Sequence, residues 1–227
     1  MEVIAAVAIA PDAPFEIERL QLDEPRDDEA LVRIVAVGIC HTDIAAREGQ
    51  MPIALPAVLG HEGAGVVVSV GAAVTKVGPG DHVVLTFRSC GACARCDHHD
   101  PAYCEQGFVL NYTGRRPDES ATLRRGQGPV AGSFFGQSSF AGHVIAYERN
   151  IVRVEDKGFD FALLAPLGCG VQTGAGAVLR SLKCEAGSSL LVTGAGSVGL
   201  SAVMAASVAG IASETDIFLE GLSAFSE

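Results

Sequence analysis

Residues 90–104 read CGACARCDHHDPAYC, so four of the chain's seven cysteines fall within fifteen positions, spaced C-x2-C-x2-C-x7-C. No other stretch restricts the fold as tightly, because a loop with that spacing must either converge its thiols on one centre or leave four reactive groups idle. Structural zinc takes four thiolates in a closed tetrahedron, and gaps of two to four residues let one loop supply several of them. The intervening Gly, Ala, Arg, Asp and His residues are not core-like. A bacterial ferredoxin run has gaps of x2, x2 and x3 followed by proline. Here the last gap is x7 and Glu105 follows Cys104. Cys90, Cys93, Cys96 and Cys104 are therefore expected to hold a structural zinc, with His98 and His99 as ordinary loop residues. A closed shell has no open position, so this lobe holds structure and the chemistry lies elsewhere.

Disulfides are disfavoured as an explanation. Seven is an odd number, and MEVIAAVAIAPDAPFEIERLQLDEP has no basic segment ahead of its short apolar run; a reducing cytoplasm is the expected location. Lys and Arg total 16 against 27 Asp and Glu, a net charge of −11. Such an acidic surface repels phosphate backbones and anionic lipid, which argues against nucleic-acid and membrane partners. No apolar run approaches the ~20 residues that cross a bilayer.

The chain has two halves of different grain. Up to about residue 160, short β-rich runs such as LVRIVAVG (31–38), GAGVVVSVG (63–71) and DHVVLTF (81–87) alternate with Gly/Pro punctuation, as in a small β-barrel or sandwich. Residues 105–140 read as irregular loop. Residues 161–182, FALLAPLGCGVQTGAGAVLRSL, carry small and apolar residues at helical spacing. Then SSLLVTGAGSVGLSAVMAASVAG (188–210) gives an apolar strand, a glycine turn and a small-residue helix, the opening of a βαβ unit.

Three cysteines remain. Cys40 lies in VGICHTD just after a strand, Cys169 lies in APLGCGVQTGAG, and Cys184 follows. His61 lies in LGHEGAG. Two thiolates and one imidazole from separate segments make a zinc set with its fourth position open, although each residue alone also fits a packed core.

The order of motifs adds what spacing does not. C-H-T-D at 40–43, G-H-E-G-A-G at 60–65, the four-cysteine lobe, G-C-G-V-Q-T-G at 168–174 and G-A-G-S-V-G at 194–199 together resemble the zinc-dependent medium-chain alcohol dehydrogenases, over roughly residues 3–210. FFGQSSFA (134–141) and PLGCGVQTGAGAV (166–178) are most similar to the aryl-alcohol (benzyl alcohol) branch. The resemblance implies an α+β and α/β chain: a GroES-like β-barrel catalytic domain at 1–165, then at 166–227 a linking helix and an incomplete Rossmann domain. It implies two zinc ions, one catalytic on Cys40, His61 and Cys169, and one structural on the four-cysteine lobe. Glu62 matches the acid beside the zinc histidine, and Asp43 the carboxylate that orients that imidazole, a partner such a ligand needs. Thr42 matches the hydroxyl that removes the substrate's proton, His41 a position near the cofactor pyrophosphate, and Thr173 a position beside the nicotinamide. One position departs from the pattern: Ala45 stands where studied members end their proton relay with histidine. Proton exit then runs directly to water or through His41.

Gly194, Gly196 and Gly199 follow an apolar strand and open a helix, the context a dinucleotide turn requires. An acid about 20 residues further on should bond the ribose 2′-hydroxyl. Glu220, 21 positions after Gly199, is the first candidate and Asp216 the second. No Lys or Arg follows Lys183, which favours NAD over NADP. The expected reaction is reversible oxidation of a primary aryl or allylic alcohol to its aldehyde. The alternatives are glutathione-dependent formaldehyde oxidation, an inactive truncated zinc-binding fragment, and an iron–sulfur carrier. A dinucleotide fold has about six strands and the chain has room for two, so it reads as C-terminally truncated. On that reading the 227 residues alone keep the structural zinc and do not turn over alcohol. Family members pair through an edge strand of the nucleotide domain, so a homo-oligomer is implied for the complete enzyme.

Overall fold

The computed structural model describes residues 1–155 and 158–211, together with the backbone of Ile217–Phe218. Glu220 and Asp216 lie outside the described residues. The chain divides into two compact units, Met1–Gly168 and Cys169–Glu227.

The first unit is built on two five-stranded sheets. Strands β1 (Glu2–Ala8), β2 (Glu16–Leu22), β3 (Glu29–Val37), β4 (Ala57–Val58), β5 (Gly63–Val70), β6 (His82–Leu85), β7 (Leu123–Arg125), β8 (Gly128–Val130), β9 (His143–Tyr147) and β10 (Ile151–Val154) form the orders β4-β1-β2-β7-β8 and β10-β6-β5-β3-β9. The period-2 alternation of the sequence turns Val3, Ala5 and Val7 of β1, and Leu20 and Leu22 of β2, into a core shared with Val32, Val67, Val83 and Ile145 of the other sheet. Among the described residues, no single helix is long and apolar enough to cross a membrane.

The pairing of β3 with β5 positions the chemistry. These strands run antiparallel, with register shifts at Leu31/Val32 and Ile34/Ala36, and their last pair is Val37 with Gly63. Cys40 lies three residues beyond that pair on one strand and His61 two residues before it on the other, so both emerge at the same end of the ladder. Helix α1 (His41–Arg47) starts at once, with Cys40 at its N-cap and the Asp43 carboxylate reaching back to the Cys40 backbone N–H.

Residues 105–140 hold more order than the sequence suggests. Helix α2 (Ala94–Asp97) lies within the four-cysteine lobe and α3 (Gly107–Tyr112) follows it. The three-residue strands β7 and β8 then form a hairpin joined to β2 through Leu22 and Leu123. Three residues are too few for an alternation to stand out, and only Leu123 and Val130 face the core. The buried Arg116 fastens the preceding loop, reaching Glu29 at 2.7 and 2.9 Å and Asp23 at 2.9 Å.

The stretch 161–182 is not one continuous helix. Helix α4 (Phe161–Leu164) passes into a 3-10 turn at Ala165–Gly168, where Pro166 lacks the N–H a regular helix needs. In the second unit, α5 (Gly170–Gly176) runs into a π turn at Ala177–Ser181. The apolar run that follows is shorter than expected as a strand: only Val192–Thr193 (β11) pairs, parallel to Ile217–Phe218 (β12), with α6 (Ser197–Val208) between them. Helix α6 buries Ser201, Ala202, Ala205 and Ala206 and packs against α5. The approach is close enough that a Cβ on Gly174 would lie 2.1 Å from the Val198 carbonyl oxygen.

Candidate metal centres

In the four-cysteine lobe, the sulfurs of Cys90, Cys93, Cys96 and Cys104 all lie within 4.8 Å of one another. Cys90 Sγ is 3.9 Å from Cys96 Sγ, and Cys93 Sγ is 4.0 Å from Cys104 Sγ. A tetrahedron with Zn–S bonds of about 2.3 Å has edges of about 3.8 Å, so the four thiols fit zinc almost without adjustment. Backbone N–H groups of Cys90, Gly91 and Ala92 donate to Cys104, Cys96 and Cys90 sulfurs at 3.2, 3.3 and 3.4 Å. Backbone hydrogen bonds from Glu105 and Cys96 bring the Cys93 thiol down to about 6. Burial pushes Cys104 up to about 11. His98 and His99 are exposed and stand outside the cluster.

The donor atoms of Cys40, His61 and Glu62 form a second group within 4.8 Å of one another. Asp43, wholly buried, organises it. One carboxylate oxygen accepts from Cys40 N–H at 3.0 Å; the other accepts from Gly60 N–H at 2.9 Å and lies 3.0 Å from His61 Nδ1. His61 is buried, its ring stacked on Phe135 at 4.5 Å and met edge-on by Phe134 at 5.7 Å. Burial alone would push this imidazole down, but Asp43 and then Cys40 hold it up at about 9. With Nδ1 committed to Asp43, the buried Nε2 has no hydrogen-bond partner. A polar atom stranded like this beside a thiol is unusual in a folded interior, and a metal ion satisfies it. The donor set therefore fits zinc. Glu62 packs beneath Gly38, where a Cβ would come within 2.0 Å of its Oε2. Thr42 Oγ1 lies 3.6 Å from Cys40 Sγ, and His41 is exposed at the first residue of α1.

Gly168 closes the first unit. Its carbonyl accepts from the Thr86 hydroxyl at 2.8 Å, and its Cα sits so close to β6 that a Cβ would lie 1.9 Å from the Leu85 carbonyl oxygen. Cys169 is the next residue, at the N-cap of α5, and its carbonyl accepts from the Thr173 hydroxyl at 2.8 Å. Cys184 packs beside the small apolar core of the second unit.

The glycine turn of the second unit has the geometry of its sequence pattern. Gly194 takes φ +89°, which side chains other than hydrogen rarely adopt. Gly196 caps α6 with open space where a Cβ would stand, and a Cβ on Gly199 would lie 2.0 Å from the Gly194 carbonyl oxygen. These are the three roles of a pyrophosphate-binding turn: bend, access and close packing.

Sequence reasoning missed the aromatic wall of Phe134, Phe135 and Tyr112 around His61, and it missed Gln137 below it. FFGQSSFA stood out only as a branch marker. Phe135 reaches its stack through a φ of +50°, which nothing in the letters announces.

Two five-stranded sheets carry a four-thiol lobe and a thiol–imidazole group at one end of the β3–β5 ladder, and residues 26–156 match the alcohol dehydrogenase GroES-like domain. The chain belongs to the zinc-dependent medium-chain alcohol dehydrogenase family. It is 52% identical over 174 residues to a probable alcohol dehydrogenase of a Pseudomonas species, covering 76% of this chain and 54% of that protein. It is 46% identical over 207 residues to the geraniol dehydrogenase of Castellaniella defragrans, covering 91% and 55%. The crystal structure of benzyl alcohol dehydrogenase from Acinetobacter calcoaceticus superimposes with a TM-score of 0.87 at 44% identity, covering 93% of this chain and 57% of that one. The chain thus spans somewhat more than half the length of the relatives it matches.

Proposed function

We propose that the protein oxidises a primary aryl or allylic alcohol to its aldehyde with NAD as hydride acceptor. Cys40, His61 and Cys169 hold a catalytic zinc with one open position, and the four-cysteine lobe holds a structural one. On this reading residues 1–165 are the catalytic domain, and 166–227 are a linking helix and the first portion of an NAD-binding domain. The observation that carries the reading is the stranded His61 Nε2, aimed away from Asp43 and beside the Cys40 thiol.

Bound there, zinc supplies the Lewis acidity that lowers the alcohol's pKa. The protein's own groups do the rest. Asp43 fixes the tautomer of His61 by accepting a hydrogen bond from Nδ1–H, and so leaves the Nε2 lone pair free for a metal. Thr42 Oγ1, next to the Cys40 sulfur, would accept the substrate's hydroxyl proton while passing its own on to water or to His41. NAD, when bound, would supply the hydride acceptor, and Thr173, whose hydroxyl bonds the Cys169 carbonyl, would help to place its nicotinamide. Phe135 stacks on the His61 ring and Phe134 meets it edge-on, with Tyr112 packed against Phe135. Together they keep water from the imidazole, which is 1% exposed. The Gly194–Gly199 turn receives the pyrophosphate at the N-terminus of α6.

The test is made on the protein as its source cell makes it, zinc-loaded and supplied with NAD. Benzyl alcohol, geraniol and S-hydroxymethyl-glutathione are compared by NADH formation. The reading expects oxidation of the first two, lost on Cys40→Ser. It fails if that variant keeps turnover, or if the glutathione adduct is the preferred substrate.

A further inference from the structure

Gln137 is wholly buried and is not a metal donor, yet two of the hydrogen bonds of its carboxamide go to the segment that carries His61. Its Nε2 donates to the His61 carbonyl at 3.0 Å and to the Thr86 carbonyl at 3.2 Å. Its Oε1 accepts from Gly63 N–H at 3.1 Å and from the Ser139 hydroxyl. A primary amide has two N–H donors and two lone pairs, and here all four are used. The main chain is held at the metal-ligand residue itself and two residues beyond it. Ser139 extends the grip to the other side, its backbone N–H donating to the Gly60 carbonyl at 2.8 Å.

The Thr86 carbonyl is shared with the equally buried Asn150, whose Nδ2 donates to it at 3.2 Å and also to the Gly136 carbonyl at 3.2 Å. Gly136 follows Phe135, the residue stacked on the His61 ring. The Thr86 hydroxyl holds the Gly168 carbonyl, immediately before Cys169. One buried polar chain therefore touches the backbone of His61, the turn behind its stacking partner and the residue preceding Cys169. A metal centre needs its donors held to within about 0.5 Å, and Asp43 fixes the imidazole Nδ1 and the Gly60 N–H but leaves the chain after His61 unheld.

We propose that Gln137 is a positioning residue for the open metal centre, fixing the His61 main chain so that Nε2 meets the ion. This rests on the assignment of Cys40, His61 and Cys169 as ligands. Cobalt(II) titration of the metal-free chain tests it, because thiolate-to-cobalt and d–d bands distinguish a four-sulfur site from a mixed sulfur–nitrogen one. Gln137→Met removes all four bonds at similar length; Gln137→Glu keeps the shape and sets an oxygen against two carbonyls. Both are expected to keep the four-sulfur spectrum and to bind the second cobalt 10- to 100-fold more weakly, the usual cost of losing an outer partner of a metal ligand. Leu22→Ala, which opens a cavity in the core of the other sheet, is the control and should leave both affinities unchanged. The proposal is overturned if either variant binds the second cobalt as the wild type does. It is also overturned if Leu22→Ala weakens that site equally, or if the four-sulfur site is lost as well. A wild-type chain that takes only one cobalt refutes the ligand assignment, and the proposal with it.

Discussion

Gly168→Ala should uncouple the two metal centres. A Cβ at this position would lie 1.9 Å from the Leu85 carbonyl oxygen, whereas real Cβ contacts essentially never fall below 3.0 Å. The obstacle is strand backbone in β6, paired on both sides by β5 and β10, and it cannot swing away as a side chain would. The chain at Gly168 must therefore retreat by roughly 1 Å, and the Thr86 bond to its carbonyl stretches with it. Cys169 is the next residue and moves too. Metal–ligand distances tolerate about 0.2 Å, so the displacement exceeds the tolerance several-fold. The expected outcome is a folded protein that retains zinc in the four-cysteine lobe and loses most of its affinity at the second site. Gly176→Ala is the matched control: its φ is −64° and a Cβ there meets nothing within 4 Å, so zinc content is unchanged. Zinc per chain after dialysis against a chelator of graded strength reads both. Two firmly held zinc ions in Gly168→Ala would refute the reasoning.

Three further outcomes follow from the same geometry. Arg116→Ala strands Glu29, which is 1% exposed, and should cost about 3–5 kcal/mol of unfolding free energy; a denaturant midpoint equal to wild type would contradict this. Replacing the pair together, Glu29→Met with Arg116→Leu, should recover most of that loss. Stability should hold from neutral pH down to about 4 and then erode. Partial burial pushes Asp23 up, but Arg116 and Arg124 hold it below its ordinary value, and backbone N–H groups of Thr75 and Lys76 do the same for Glu148. Their contribution is present above the unfolded carboxylate range and disappears as the folded groups protonate, so Glu148→Gln should flatten the acid limb of a chemical-denaturation series. A limb of unchanged slope would count against it.

The two converging groups of thiol and imidazole side chains were legible because the spacing of such residues is itself a signal. Four cysteines within fifteen residues have few other uses, and Cys40 and His61 sit at the ends of strands whose alternation is plain. Asp43 was legible only through C-H-T-D, since nothing local marks a carboxylate that reaches a histidine 18 residues away. Gln137 and Asn150 were not legible at all. Each acts on main-chain atoms of distant segments, up to 76 residues apart, and a carbonyl oxygen leaves no trace in the sequence. The hairpin of β7 and β8 escaped for a different reason: its three-residue strands are specified by pairing with β2 rather than by their own pattern. The linking segment misled because Ala, Leu and Gly at helical spacing also suit 3-10 and π turns, and Pro166 and Gly168 decide which forms.

Counting zinc by native mass spectrometry tests the central claim most directly. Wild-type chain, Cys40→Ser and Cys93→Ser are compared after identical zinc loading and dialysis. Two independent centres predict two zinc ions in the wild type and one in each single variant, held by the four-cysteine lobe in Cys40→Ser and by the open centre in Cys93→Ser. A wild type holding a single zinc, or a Cys40→Ser variant still holding two, would contradict the assignment of an open centre at Cys40 and His61.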